Sequence, residues 1–168
     1  MVNTRQLDCT TLVETVTALK LCAQLGKKQW SDSLYTLSQL RYRQGRLNGY
    51  PSRLHYFSDW IRDKVEMQLV TDIQQPNPPF TAVQTVSVNY MSTHPDAYKA
   101  MKSNPTLVPE IRAQEQSLTG LKVRYIAKRQ LRNSASLRKV VKDGDILAIT
   151  CNKKGLDIAH LGFAVWRS

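Results

Sequence analysis

With 168 residues the chain suits one domain with a substantial core and leaves two domains cramped. Hydrophobic residues make up 42% and charged residues 22% of it, an ordinary globular balance, and no apolar run approaches the roughly 20 residues that cross a bilayer, so no integral membrane association is expected. Lys and Arg number 24 against 13 acidic residues, a net charge of +11, which favours polyanions: nucleic acid, anionic lipid surfaces or acidic cell-wall polymers.

The chain as written opens without the basic-then-apolar pattern of a signal peptide. From Cys9 to about Leu25 the apolar spacing (Cys9, Leu12/Val13, Val16, Leu19, Ala23) is helical, with Asp8 as the expected cap and Gly26 as the stop. Cys9 stands behind an acidic residue in the first turn. Backbone N–H groups at a helix start favour an anion, which for cysteine is the nucleophilic thiolate; as the first member of an apolar row it would equally be inert packing. A second helix is predicted from about Ser31 to Tyr42, capped by Ser31 or Asp32, with Leu34, Leu37 and Tyr35/Leu40 inward. Gly45, Asn48, Gly49 and Pro51 then mark a long loop.

That loop leads into Arg53-Leu54-His55-Tyr56-Phe57-Ser58-Asp59-Trp60-Ile61. Ser58 is the expected cap of a helix through about Gln68, with Trp60, Ile61, Val65 and Leu69 inward. Arg, His, two aromatics and an Asp so close together suit a ligand site, and they suit core anchors with charged surface neighbours equally well. Gln74-Gln75-Pro76-Asn77-Pro78-Pro79 reads as a connector. Val86, Val88 and Tyr90 then alternate with polar residues as a half-buried strand, and Pro95 suits a first helical position. Short helices are predicted near 96–102 and 109–118. In the last third, Leu121 to Ala127 alternates as a strand, Asp143-Gly144-Asp145 turns into a strand over Ile146–Cys151, and Asn152–Gly155 turns into another over Leu156–Trp166. Helices first and an antiparallel meander last indicate an α+β fold.

The final strand places His160 on one face with Gly162 and Ala164, opposite Leu161, Phe163 and Val165. Two small neighbours leave room for a helix or a substrate to approach. A cysteine at an early helix start followed much later by a strand histidine is the chain order of papain-like cysteine hydrolases. His55, in a loop, and His94, before a proline, are the competing bases. The three cysteines (Cys9, Cys22, Cys151) show no C-x-x-C and no closely spaced His partners, so neither a metal nor a cofactor is expected. The cations cluster most densely at Arg41/Arg43/Arg46, Lys122–Arg132 and Arg138/Lys139/Lys142, without aromatics interleaved for base stacking, so no nucleic-acid partner is expected.

Several segments, in order, resemble the NlpC-like peptidoglycan hydrolase superfamily, and more narrowly its N-acetylmuramoyl-L-alanine amidase-like branch. They are Leu7-Asp8-Cys9-Thr10-Thr11-Leu12-Val13-Glu14, Arg41-Tyr42-Arg43-Gln44-Gly45, Ser52 through Trp60, Met91-Ser92-Thr93-His94-Pro95, Asp143-Gly144-Asp145-Ile146 and Gly155 through Gly162. The resemblance implies one domain over 1–168 with a papain-like core, in which helices carrying the nucleophile pack on a C-terminal antiparallel sheet. It implies Cys9 as nucleophile, His160 as general base, and Arg53, Tyr56, Ser58 and Asp59 as substrate contacts. The implied partner is peptidoglycan or a muropeptide, and the implied location the periplasm or cell envelope. Such proteins carry a third polar residue on a strand after the base, and sequence ahead of the cysteine helix; on that comparison the chain is expected to be truncated at both ends. An inactive wall-binding remnant is the alternative, with a basic nucleic-acid-binding domain further off.

Overall fold

The structure, a computed structural model, describes residues 5–74 and 78–167. The opening Met1-Val2-Asn3 and the middle of the expected connector, residues 75–77, lie outside the described residues. Helix α1 runs Cys9–Gln24, capped by Asp8 as its sequence predicts: the carboxylate accepts the Thr11 N–H at 2.7 Å. The buried face, however, is Val13, Glu14, Thr17, Ala18 and Cys22, while Leu12, Val16 and Leu19 of the predicted row are at least 40% exposed. The helix is turned because its neighbours on the inner side are polar. Glu14 meets two arginines there, and Cys22 Sγ lies 3.1 Å from Thr36 Oγ1 on α2.

Helix α2 spans Trp30–Arg41 and starts earlier than expected. Gln29 occupies the cap position, and Asp32 reaches back to its N–H at 3.2 Å, so Asp32 supports the first turn from inside the helix. Helix α3 spans Phe57–Glu66. Ser58 lies within it instead of capping it, and its backbone N–H donates at 2.8 Å to Oδ2 of Asp157, a carboxylate far along the chain. Trp60 joins Ala18, Leu37, Leu40 and Leu54 in the core between α1, α2 and α3. Val65, predicted inward, is 38% exposed, and Asp59, Asp63 and Lys64 take the interior instead.

The expected single meander is in fact two separate antiparallel pairs. Strand β1 (Ala82–Thr85) pairs with β2 (Lys122–Tyr125), and β3 (Ile146–Thr150) pairs with β4 (Ile158–Phe163). Val86 and Val88 follow β1 into a second core with Tyr56, Met91, Met101, Ile111 and Leu118. Tyr90 leaves the predicted strand and opens the short helix α4, Tyr90–Thr93. Helices α5 (Lys99–Ser103) and α6 (Val108–Leu118) fall near their predicted places. Helix α7 (Ala135–Val140), which the sequence pattern did not reveal, buries Leu137 and, just beyond its end, Val141 against Ala164 in a third cluster. The whole is α+β, with helices beside small antiparallel sheets, and no described helix is long and apolar enough to cross a membrane.

Gly155 pins the β3–β4 hairpin to the helical half. Its φ is +82°, and a side chain there would strike the Asn89 side chain and the Tyr90 backbone. Its carbonyl accepts N–H bonds from Asn89 and Tyr90, both at 3.1 Å.

Lys64 shows how polar this interior is. It is fully buried, its ammonium donates to the carbonyls of Gln39 and Tyr42, and it pairs with Asp63 at 2.6 Å. Desolvation pushes its pKa below the ordinary lysine range. Replacing it with an apolar residue removes the only cation paired with Asp63 among the described residues, leaving that buried carboxylate with the neutral Gln44 donors, and takes a donor from the Gln39 and Tyr42 carbonyls. In chemical denaturation, Lys64→Met is expected to cost about 3 kcal/mol, and Val65→Ser less than ~0.5 kcal/mol; the predicted helix face requires the reverse ranking.

Candidate functional site

The first turn of α1, the stretch from Leu54 into α3, α4 and β4 converge on a cavity of about 240 Å³. Cys9 enters its lining from α1 and His160 from β4, two elements that pack directly on one another. Cys9 is half-buried, and His160 lies on the exposed side of β4, opposite the buried Leu161. His160 stands opposite Leu161 as the strand period predicts, but a bulge at Ala159, where Ile149 pairs with His160 and Thr150 with Ile158, breaks the alternation just before it, and beyond β4 Ala164 turns inward and Val165 is 71% exposed. At the helix start, the Thr11 N–H holds the Asp8 carboxyl below the usual carboxylate range, so the cap stays ionised beside Cys9.

The cavity wall is built by two buried carboxylates that the sequence reading passed over. Glu14 on α1 is 1% exposed; it takes Arg41 Nε at 2.9 Å and both terminal nitrogens of Arg53. It ties α1 to the end of α2 and to the loop before α3. A helical-wheel signal existed, since Glu14 shares a face with Ala18 and Leu21, but a glutamate on an apolar face reads as an exception until its arginines are found. Asp157 sits just before β4. Its Oδ2 accepts the Ser58 N–H at the start of α3 and its Oδ1 accepts the Ile158 N–H, both at 2.8 Å. The acceptor at the α3 N-terminus is thus also the residue that sets where the His160 strand begins.

Of the residues expected to touch substrate, only Tyr56 lines this cavity. Its hydroxyl donates to Glu115 Oε1 at 2.6 Å and accepts the Met91 N–H at 3.1 Å. Burial first, then the adjoining Glu115, push that hydroxyl well above the usual phenol range. What Tyr56 offers the cavity is therefore its ring. Arg53 is engaged with Glu14 and with the Arg41 carbonyl, and borders a neighbouring, more open hollow with Tyr42, Leu47 and Tyr50. Ser58 is buried behind the wall. Asp59 is 3% exposed and held by Arg43 and Arg62, and its carboxylate in turn raises the Arg43 guanidinium above the ordinary arginine value.

His55, which the sequence offers both as a possible ligand-site residue and as a competing base, is brought to the cavity by the fold. It lines the same cavity, with its Nε2 3.3 Å from the Tyr50 carbonyl and its ring 4.6 Å from the Tyr50 ring. Burial, outweighing the Tyr50 hydrogen bond and helped by nearby arginines, pushes its pKa down to about 4. It is held neutral by that burial, whereas His160 stands on the exposed side of β4. His94 lies elsewhere, stacked on Tyr90 at 4.2 Å.

The depressed His55 value has a signature in stability. Above pH ~6.5 neither folded nor unfolded chain protonates this imidazole; between ~6.5 and about 4 the unfolded chain binds a proton that the folded chain refuses. Stability is then lost as pH falls through that window. Wild type is expected to lose about 1–3 kcal/mol between pH 7 and 4 from this group, and His55→Gln to lose correspondingly less, as read by urea melts across pH.

Known proteins are similar to this chain over nearly all of its length. Across residues 1–168 the chain matches the family described as AmiA-like, N-acetylmuramoyl-L-alanine amidase-like. Among solved structures, an N-acetylmuramoyl-L-alanine amidase from Bacteroides uniformis is 40% identical, covering 99% of this chain and 68% of that one, with a TM-score of 0.89. A Bacteroides fragilis protein provisionally described as a xylanase is also 40% identical, covering 99% and 71%, at 0.88. A Legionella pneumophila protein at 22% identity and 0.64, covering 95% and 61%, shares the fold alone. No curated protein matches the chain. A match over the full sequence, together with 40% identity to structures that cover 99% of it, makes this chain a member of the AmiA-like, N-acetylmuramoyl-L-alanine amidase-like family.

Proposed function

We propose that this chain is a cysteine hydrolase of the NlpC-like, papain-like type, cleaving an amide bond of bacterial peptidoglycan: the N-acetylmuramoyl–L-alanine bond or one in the stem peptide. The observation that carries the reading is that Cys9, at the start of α1, and His160, on β4, line one cavity. The family match and the B. uniformis amidase support the substrate class, which in turn puts its action in the cell envelope.

In the reaction, a ring nitrogen of His160 takes the Cys9 thiol proton while Sγ attacks the amide carbonyl carbon. The oxyanion forms at the N-terminal end of α1, where backbone N–H groups converge. The protonated imidazole gives its proton to the departing amine, leaving a thioester on Cys9. Water, deprotonated by His160, attacks the thioester carbonyl and releases the carboxylate and the thiol. Tyr56, Phe57 and Trp60 supply an apolar wall beside this centre, with Phe57 and Trp60 stacked 5.1 Å apart. Glu14 and Asp157 hold the walls in place, and neither His55 nor a metal is needed for any step.

The description of the B. fragilis relative as a xylanase raises glycoside cleavage as a competitor. That chemistry needs two carboxyl groups facing the scissile bond. The two carboxylates lining this cavity are committed elsewhere, Glu14 to Arg41 and Arg53 and Asp157 to two backbone N–H groups, which favours the thiol reading.

Cys9→Ala is expected to abolish release of muropeptide fragments from purified sacculi, followed by reverse-phase chromatography. His160→Ala should lower the rate about 10²–10⁴-fold with the fold intact. Turnover by Cys9→Ala at the wild-type rate, or release of xylo-oligosaccharides from xylan, contradicts the assignment.

A further inference from the structure

The charge of this protein is concentrated away from the cavity. From Gln116 to Lys142 there is no acidic residue and there are eight cations: Lys122, Arg124, Lys128, Arg129, Arg132, Arg138, Lys139 and Lys142. Among the described residues none of the eight is within ion-pair distance of a carboxylate; the ion pairs there belong to Arg41, Arg43, Arg53, Arg62 and Lys64. Asp143 and Asp145 flank the stretch, Asp143 taking the Trp166 N–H and Asp145 the Lys142 N–H, and with their two charges included residues 116–145 still carry a net +6.

Six of these cations fall in residues 128–142, which fold over one small apolar cluster. Leu137 and Val141 pack there with Ala164, Ile126 and Trp166. Turning those two side chains inward leaves Lys128, Arg129, Arg132, Lys139 and Lys142 exposed. Arg138 lies across Trp166, its guanidinium carbon 4.6 Å from the ring centre. Two large apolar side chains stand out of the same module: Leu131, 55% exposed between Arg129 and Arg132, and Val165, 71% exposed beside Trp166.

Exposed leucines occur elsewhere in the molecule, Leu25 and Leu47 among them; this module is set apart by having its protruding aliphatic tips beside a stretch of eight cations and no acid, and a nucleic-acid face would present open aromatic rings for stacking, whereas Trp166 is covered by Arg138. Unpaired cations around exposed aliphatic tips match a lipid headgroup region: phosphates take the charge and the acyl boundary takes the side chains. We propose that this module is a peripheral docking face for an anionic phospholipid surface. It adjoins the end of β4, the strand that carries His160, so docking would hold the cavity at a fixed offset from a membrane.

The test is co-sedimentation of the full chain with vesicles of phosphatidylglycerol and phosphatidylcholine, against phosphatidylcholine alone, with thermal melts to confirm folding. Binding is expected only to the anionic vesicles and should weaken steeply at ~0.5 M salt. The triple variant Lys128→Glu/Arg129→Glu/Arg132→Glu should lower partitioning by about a hundredfold or more, at roughly fivefold per cation lost. Leu131→Ser, which leaves the charge unchanged, should lower it about tenfold through the apolar contact, and it guards against a charge-only explanation. A charge-matched variant on α5 and α6, Lys99→Glu/Lys102→Glu/Arg112→Glu, where the cations are exposed but no large apolar side chain protrudes beside them, should bind like wild type. Equal loss in both triple variants, equal binding to neutral vesicles, or retention on duplex DNA with none on vesicles overturns the proposal.

Discussion

Much of this structure hangs on the carboxylate of Glu14. It is a charge inside the protein, and a buried charge is stable only when its partners are fixed around it. Arg41 arrives from the end of α2 and Arg53 from the loop before α3, so one residue sets the relation of three segments. The same residue lines the cavity in which Cys9 and His160 stand. The orientation of α1 about its own axis follows from it: with Glu14 inward, Leu12, Val16 and Leu19 must face out, and Cys9, one helical turn before Val13, is carried to the cavity edge.

Asp157 performs the complementary task from the sheet side. Its two oxygens join the start of α3 to the start of β4, and Gly155, two residues earlier, bonds the hairpin to α4. The cavity is therefore framed by ties between sequence-distant elements, with apolar packing behind them. Such framing suits a site that must hold a nucleophile and a base in register while remaining open, because a directional bond fixes orientation where apolar contact fixes only proximity. His55 and Tyr56 extend the wall with groups that are themselves held: one neutral through burial, the other with its hydroxyl turned to Glu115.

What was legible in the sequence is what is local. The Asp8 cap spans three residues and the periodicity of α1 sixteen, and both were readable. The alternation that exposes His160 and buries Leu161 needs only the period of a strand. The helix face of α1, the cap of α3 and the roles of Arg53 and Asp59 were not readable, because each depends on a partner far along the chain: 27 and 39 residues for the arginines on Glu14, 99 for Asp157 on Ser58. Charged residues at inward positions look like surface until their partners are known, which is why Lys64 displaced Val65 from the expected face. His55 was set aside as a loop residue, and the loop is where the wall of the site lies. Family resemblance supplied Cys9 and His160 as a pair; the fold contributes the observation that one cavity receives both.

The central claim is that Cys9 carries the acyl group and His160 serves it. Acid-quenched steady-state reactions with soluble muropeptide, digested and analysed by mass spectrometry, address this most directly. The account predicts a substrate-derived thioester adduct on the peptide containing Cys9, absent from those containing Cys22 and Cys151, and strongly reduced in the His160→Ala protein. Turnover without any adduct on Cys9, or an adduct on another cysteine, would contradict it.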